Sequence, residues 1–175
     1  MNLPTSVTVS MDSTKSMSTI LAAGFLCGAM DITAAFITWV PQGVPARVIL
    51  QGIASGLLGM PAFRGGFATA TLGLGLHFFI AILAGGVFYA ASRKFSWPVR
   101  HPYVAGVLYG VAVYIVMYWI VLPLSRFHRG PFSVARTVIA ILTHIVCVGL
   151  PIALVVHYRS DHRVPGTSFV VSHRV

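Results

Sequence analysis

From 65 to 92, from 101 to 125 and from 137 to 158 the chain carries no Asp, Glu, Lys or Arg. A helix that crosses a bilayer takes about 20 apolar residues, so each gap accommodates one crossing and not two. A fourth window, 16–46, is broken only by Asp31. Lipid offers no partner for an unsatisfied backbone group, and alternation at strand length is absent, so the windows read as helices. Composition agrees: 57% of residues are hydrophobic and 9% charged, against about a quarter charged in soluble domains. The expected fold is an all-α integral membrane protein, a four-transmembrane-helix bundle with spans at about 19–40, 66–92, 101–122 and 135–158.

Residues 45–60 are too short for a further span, reaching only about 24 Å as a helix. Arg47, Gln51 and Ser55 fall on one face, with Ile49, Ile53 and Leu57 offset, which predicts an interfacial or re-entrant helix between the first and second spans. Trp39 before Pro41 reads as an interface anchor at the end of the first span. Residues 1–18 read as a flexible N-terminal tail and 159–175 as a basic, flexible C-terminal one. The first window follows Lys15 but continues through Val40, longer than a signal-peptide core, so it is expected to stay uncleaved.

The net charge of +9 does not point to nucleic acid. Nearly all Lys and Arg flank hydrophobic windows, where they set topology or meet lipid headgroups, and no basic surface interleaved with stacking aromatics is visible. With the N-terminus inside, Lys15, Arg93, Lys94, Arg100, Arg159, Arg163 and Arg174 fall on the inner side. Arg47, Arg64, Arg126, Arg129 and Arg136 fall on the outer side. The bias favours both termini on the cytoplasmic face of a bacterial inner membrane.

Helices associate in lipid by close backbone approach, so their interfaces collect small residues. The first span carries Gly24, Gly28, Asp31, Ala35 and Thr38 at helical spacing. The second carries Gly66, Ala70, Gly73, His77, Ala81 and Ala84; the third Gly106, Gly110 and Tyr114; the fourth Thr137, Ala140, His144 and Cys147. In each helix a mid-span polar residue lies on this stripe. Asp31, His77, Tyr114 and His144 are thereby directed inward, at depths within about 5 Å of one another.

Three readings of this intramembrane cluster stay open. Interhelical glue, at about 0.6 kcal/mol per polar contact, makes the chain a non-enzymatic structural or accessory bundle, free-standing, homo-oligomeric or part of a larger complex. A mid-membrane carboxylate costs about 2.5–3.5 kcal/mol on insertion scales, so Asp31 needs a partner or a purpose, and with His77 or His144 it suits a proton or small-solute transporter. Two histidines at matching depth also suit haem, or a metal ion held with Asp31 or Cys147. If Asp31 is held by His77 or His144, Asp31→Leu should cost about 1–3 kcal/mol by orphaning a buried imidazole.

The remaining signals are weaker. Cys27 and Cys147 fall inside spans and read as buried free thiols. Gly24–Gly28 and Gly106–Gly110 are GxxxG patterns. Tyr103, Tyr109, Tyr114, Tyr118 and Trp119 read as an interface belt, core filling or the lining of a path. His128, His157, His162 and His173 read as solvated loop or tail residues. The chain has no Glu, no phosphate-binding Gly loop and no nucleophile elbow, so nothing specifies a reaction.

Over residues 76–159 the chain resembles the YagU-like group of small bacterial inner-membrane proteins. The likeness lies in LHFFIAILAGGVFYAASRKF, a Gly-containing span ending VLPLSRF, and a His-bearing last span before HYRSD. It implies a four-helix inner-membrane protein and a link to acid tolerance.

Overall fold

The structure, a computed structural model, describes residues 6–128, 130 and 132–161. Six helices follow in order: α1 (Ser6–Trp39), α2 (Ala46–Leu58), α3 (Gly66–Lys94), the single turn α4 (Trp97–Arg100), α5 (Pro102–Leu124) and α6 (Val134–Ser160). Among the described residues there is no strand. Four of these helices, α1, α3, α5 and α6, are long and apolar enough to cross a membrane. Large apolar side chains such as Ile37, Phe79, Leu83 and Leu108 stand exposed along them, as lipid-facing surfaces require. The chain is a multi-pass, all-α membrane protein.

The spans match the charge-free windows because charge and chain punctuation coincide. α3 ends after Arg93 and Lys94, and α5 starts at Pro102, where a missing N–H costs nothing. The first helix departs from expectation. It begins at Ser6 and absorbs most of the stretch expected to be a tail. No Gly or Pro interrupts 5–23, and a helix nucleated by the apolar span extends at little further cost. The hydroxyls of Ser18 and Thr19 donate back to the Lys15 carbonyl. Residues 1–5 and the tail from 162 onward, with His162, Arg163, His173 and Arg174, lie outside the described residues.

The four long helices alternate in direction, and one end of the bundle is packed tightly. Its core is Ala23 and Cys27 of α1, Ala81 and Phe88 of α3, Ala105 of α5, and Val148, Ile152, Ala153 and Val156 of α6. Small residues set the spacing. A Cβ on Gly24 would stand 2.5 Å from the Ile82 Cα, and one on Gly149 would overlap the Gly106 carbonyl oxygen. Tyr109 donates to the Ala84 carbonyl at 2.7 Å and sets its ring edge-on to Phe88, closing α5 on α3. His157 is not a solvated tail residue. It lies half-buried in α6, with Nδ1 2.7 Å from the Val99 carbonyl oxygen, which fastens α6 to α4.

α2 covers the opposite end. Arg47 lies over the Phe67 ring near the start of α3, and the Gly56 carbonyl accepts from the Arg126 N–H just beyond α5. Both ends of α2 therefore meet the same end of the bundle. On its polar face Arg47 is exposed, but the next two polar residues are buried. Gln51 and Ser55 are 2% and 3% exposed, and Gln51 Nε2 donates to the Gly66 carbonyl at 2.9 Å. Gly66 is the first residue of α3, just after the Met60–Arg64 turn, so the buried amide finds its partner there and ties α2 to the start of α3.

α5 and α6 each contain a π-helical turn, Met117–Val121 and His144–Gly149. The Leu122 N–H reaches the Met117 carbonyl, and the Leu150 N–H reaches that of Ile145. A proline stands two residues beyond each turn, Pro123 and Pro151. Proline lacks the N–H that would bond the carbonyl four residues back and crowds that carbonyl; the wider turn relieves both.

Candidate functional site: a central cavity

Where the lower half of the bundle is held together by glycine contacts, the half beneath α2 is splayed. A cavity of about 360 Å³ lies there on the bundle axis, bounded by α1, α2, α3, α5 and α6. Asp31, His77, Tyr114 and His144, the four residues expected to converge, all line it. Most of the remaining wall is apolar, including Ile49 and Ile53 of α2, Ile80, Val113 and Met117. The floor is the packed core; Cys27 and Val148 belong to both. Just below, a Cβ on Gly110 would come within 2.6 Å of the Ile145 Cα, so α5 and α6 meet backbone to backbone.

The four residues share the cavity without forming the pair that was expected. His77 Nε2 lies 2.9 Å from the Gly28 carbonyl oxygen, an interhelical link from α3 to α1. His144 Nδ1 lies 2.8 Å from the Ala140 carbonyl one turn earlier in α6. Tyr114 stacks on Tyr118 at 5.6 Å and takes the edge of His144 at 5.7 Å. The Asp31 side chain accepts no hydrogen bond and enters no ion pair among the described residues, and its oxygens are accessible rather than buried. No hydrogen bond joins Asp31 to either histidine among the described residues; each imidazole sets one ring nitrogen on a backbone carbonyl instead.

Cys147, on the predicted stripe of the fourth span, is not among the residues lining this cavity. The π turn inserts an extra residue per turn at His144, and the buried face passes to Val148 and Gly149. Cys27 is buried, as expected; Cys147 is only partly so. Among the described residues no group of three or more His, Cys, Asp or Glu could hold a metal ion. His77 also directs its Nε2 to a carbonyl, the atom that axial ligation of haem would use.

Two further cavities adjoin the central one. A polar branch is lined by Asp31 and His144 together with Thr38, Gln42, Arg136 and Thr143. Gln42 and Arg136 are exposed, so this branch leads from the carboxylate to the end of the bundle. An apolar branch shares Ile49, Ile53, Ile80, Met117 and Leu122 with the centre and continues between Val44, Leu57, Leu76, Val121 and Phe127. Trp39 lines all three spaces. It is half-buried at the end of α1, where the sequence reads only an interface anchor. Trp39 is the lining residue that pattern reading passed over, whereas Tyr118 was among the aromatics read as belt, core or the lining of a path. Tyr103 and Trp119 instead face outward.

Fold and site together define a helical membrane protein with a cavity between its helices whose lining carries a single carboxylate. Comparison with protein-family models, with curated proteins and with solved structures gave no match.

Proposed function

We propose that this protein is a proton or small-solute transporter of the bacterial inner membrane, with Asp31 as its ionisable centre and His77 and His144 beside it. One observation carries the reading: the polar cluster faces a cavity with a polar branch to one end of the bundle, and Asp31 has no hydrogen bond or ion pair among the described residues. Polar residues that serve as glue bond one another across helices. Among the described residues the one interhelical hydrogen bond from the four cluster side chains runs from His77 to a backbone carbonyl. A mid-membrane carboxylate without a partner is retained for what it binds or transfers.

In the same reading both termini are cytoplasmic and α2 lies at the outer end as an interfacial or re-entrant helix. The bundle works alone, as a homo-oligomer or within a larger membrane complex. The resemblance to YagU-like proteins, with its link to acid tolerance, is in keeping with a proton path.

Proton flux in reconstituted vesicles tests the proposal. Wild-type protein should dissipate an imposed pH gradient faster than protein-free vesicles, and Asp31→Asn, which keeps volume and polarity but cannot carry a proton, should not. Wild-type vesicles indistinguishable from protein-free ones, for protons and for any solute tried, would leave glue as the better reading. A haem Soret band in purified protein would instead assign the two imidazoles to iron.

A further inference from the structure

We infer that the central cavity takes a small amphipathic organic monocation, its charged group at Asp31 and its apolar part against Trp39, Tyr114 and Tyr118. The inference rests on the reading of the cavity as a solute site and names the chemical class of the solute.

Charge decides the sign. No Lys or Arg lines the central cavity, and Asp31 supplies its one carboxylate. An anion would meet that carboxylate in a cavity whose wall has no Lys or Arg to offset the repulsion. A neutral solute seated against the carboxylate would cover oxygens that the structure leaves accessible and offer no charge in return. A cation resolves both. An inorganic divalent ion is a poor candidate, because it needs six or more oxygen ligands and no such donor group exists among the described residues.

Lining decides the chemical character. A cavity of about 360 Å³ falls within the range of small-molecule sites, which are largely apolar with a few placed polar groups. Tyr114 and Tyr118 of α5 are stacked 5.6 Å apart, and Trp39 of α1 also lines the cavity. Aromatic faces beside a carboxylate suit a cation of diffuse charge, such as a quaternary ammonium, which gives up its water readily. The route is also selective. Arg136 stands in the polar branch and disfavours a cation there, whereas the apolar branch between α2, α3 and α5 has no charged residue in its lining. An amphipathic cation, which partitions into membranes, would enter by the apolar branch, and the polar branch serves water and protons.

The test compares benzyltrimethylammonium with its neutral isostere neopentylbenzene, in which carbon replaces the charged nitrogen. Binding is measured on the full chain in lipid nanodiscs, with empty nanodiscs as reference, at one alkaline pH. The expected result is at least about tenfold tighter binding of the cation, a difference that Asp31→Asn abolishes while leaving the isostere unaffected. Equal affinity of wild-type protein for the two compounds would overturn the cation assignment and leave the cavity a solute site. Binding of neither, with Asp31-dependent proton flux retained, would also overturn it while the transporter reading stands. Binding of neither and no flux would remove both. The wild-type comparison needs no substitution, so a variant that fails to fold does not blunt the test.

Discussion

Asp31 shows how far a single residue's identity can be read before its partners are known. Its position in an otherwise uncharged window marks it as special, and its depth relative to His77 and His144 is right, since all three line one cavity. What the pattern missed is that each histidine finds a carbonyl of the backbone, Gly28 or Ala140. Removing the carboxylate therefore orphans nothing. Asp31→Leu should be neutral within about 1 kcal/mol or gain part of the roughly 2.5–3.5 kcal/mol that a mid-membrane carboxylate costs. Reversible unfolding in detergent measures this. A loss of more than about 1 kcal/mol would show that the carboxylate is held by a contact worth keeping. Asp31→Asn should unfold like the wild type, so that its loss of flux reports chemistry and not folding.

At the scale of helices, the glycine stripes have unequal meaning. Gly149 sits where α6 touches α5, and any Cβ there meets the Gly106 and Gly110 backbones. Gly149→Ala should cost about 1–3 kcal/mol, because backbone atoms cannot move aside as a flexible side chain can. Gly75 lies two residues from the buried Gly73 in α3 and has open space around its missing Cβ. Gly75→Ala should change stability by less than about 1 kcal/mol, the helix-propensity difference. Equal effects of the two substitutions in thermal unfolding would mean that the α5–α6 contact does not hold the packed end together. Small residues were legible as a stripe in all four spans. The point in α6 where the stripe changes face was not, because it depends on the π turn before Pro151, which period counting carries straight through.

For the whole molecule, topology follows from where α2 ends. Arg47 and Gly56 both meet the end of the bundle formed by the start of α3 and the end of α5. Single cysteines placed at Arg47 and Phe63, in a background where Cys27 and Cys147 are replaced, should therefore react with a membrane-impermeant thiol reagent from the same face. Tags on the two chain ends should both be reached from the other face, the one that the proposal takes as cytoplasmic. Labelling of the two tags from opposite faces would make the number of crossings odd. Charges alone anticipated the four helices long and apolar enough to cross, and length alone set α2 apart from them.

The sequence by itself determined the solvent this protein lives in, the number of its long helices and their approximate ends, because the requirement to satisfy every backbone group in lipid leaves few alternatives. It also brought Asp31, His77, Tyr114 and His144 to the interior, since small and polar residues at helical spacing mark the faces that pack. Tertiary structure decided what lies between those residues. Whether four inward-facing side chains bond one another or surround a space depends on how closely the helices approach at that depth. That distance is set by backbone contacts at Gly110 and Gly149, by the turns before Pro123 and Pro151, and by the wedge of α2 against α3. These are relations between segments far apart in the chain, and no local pattern carries them.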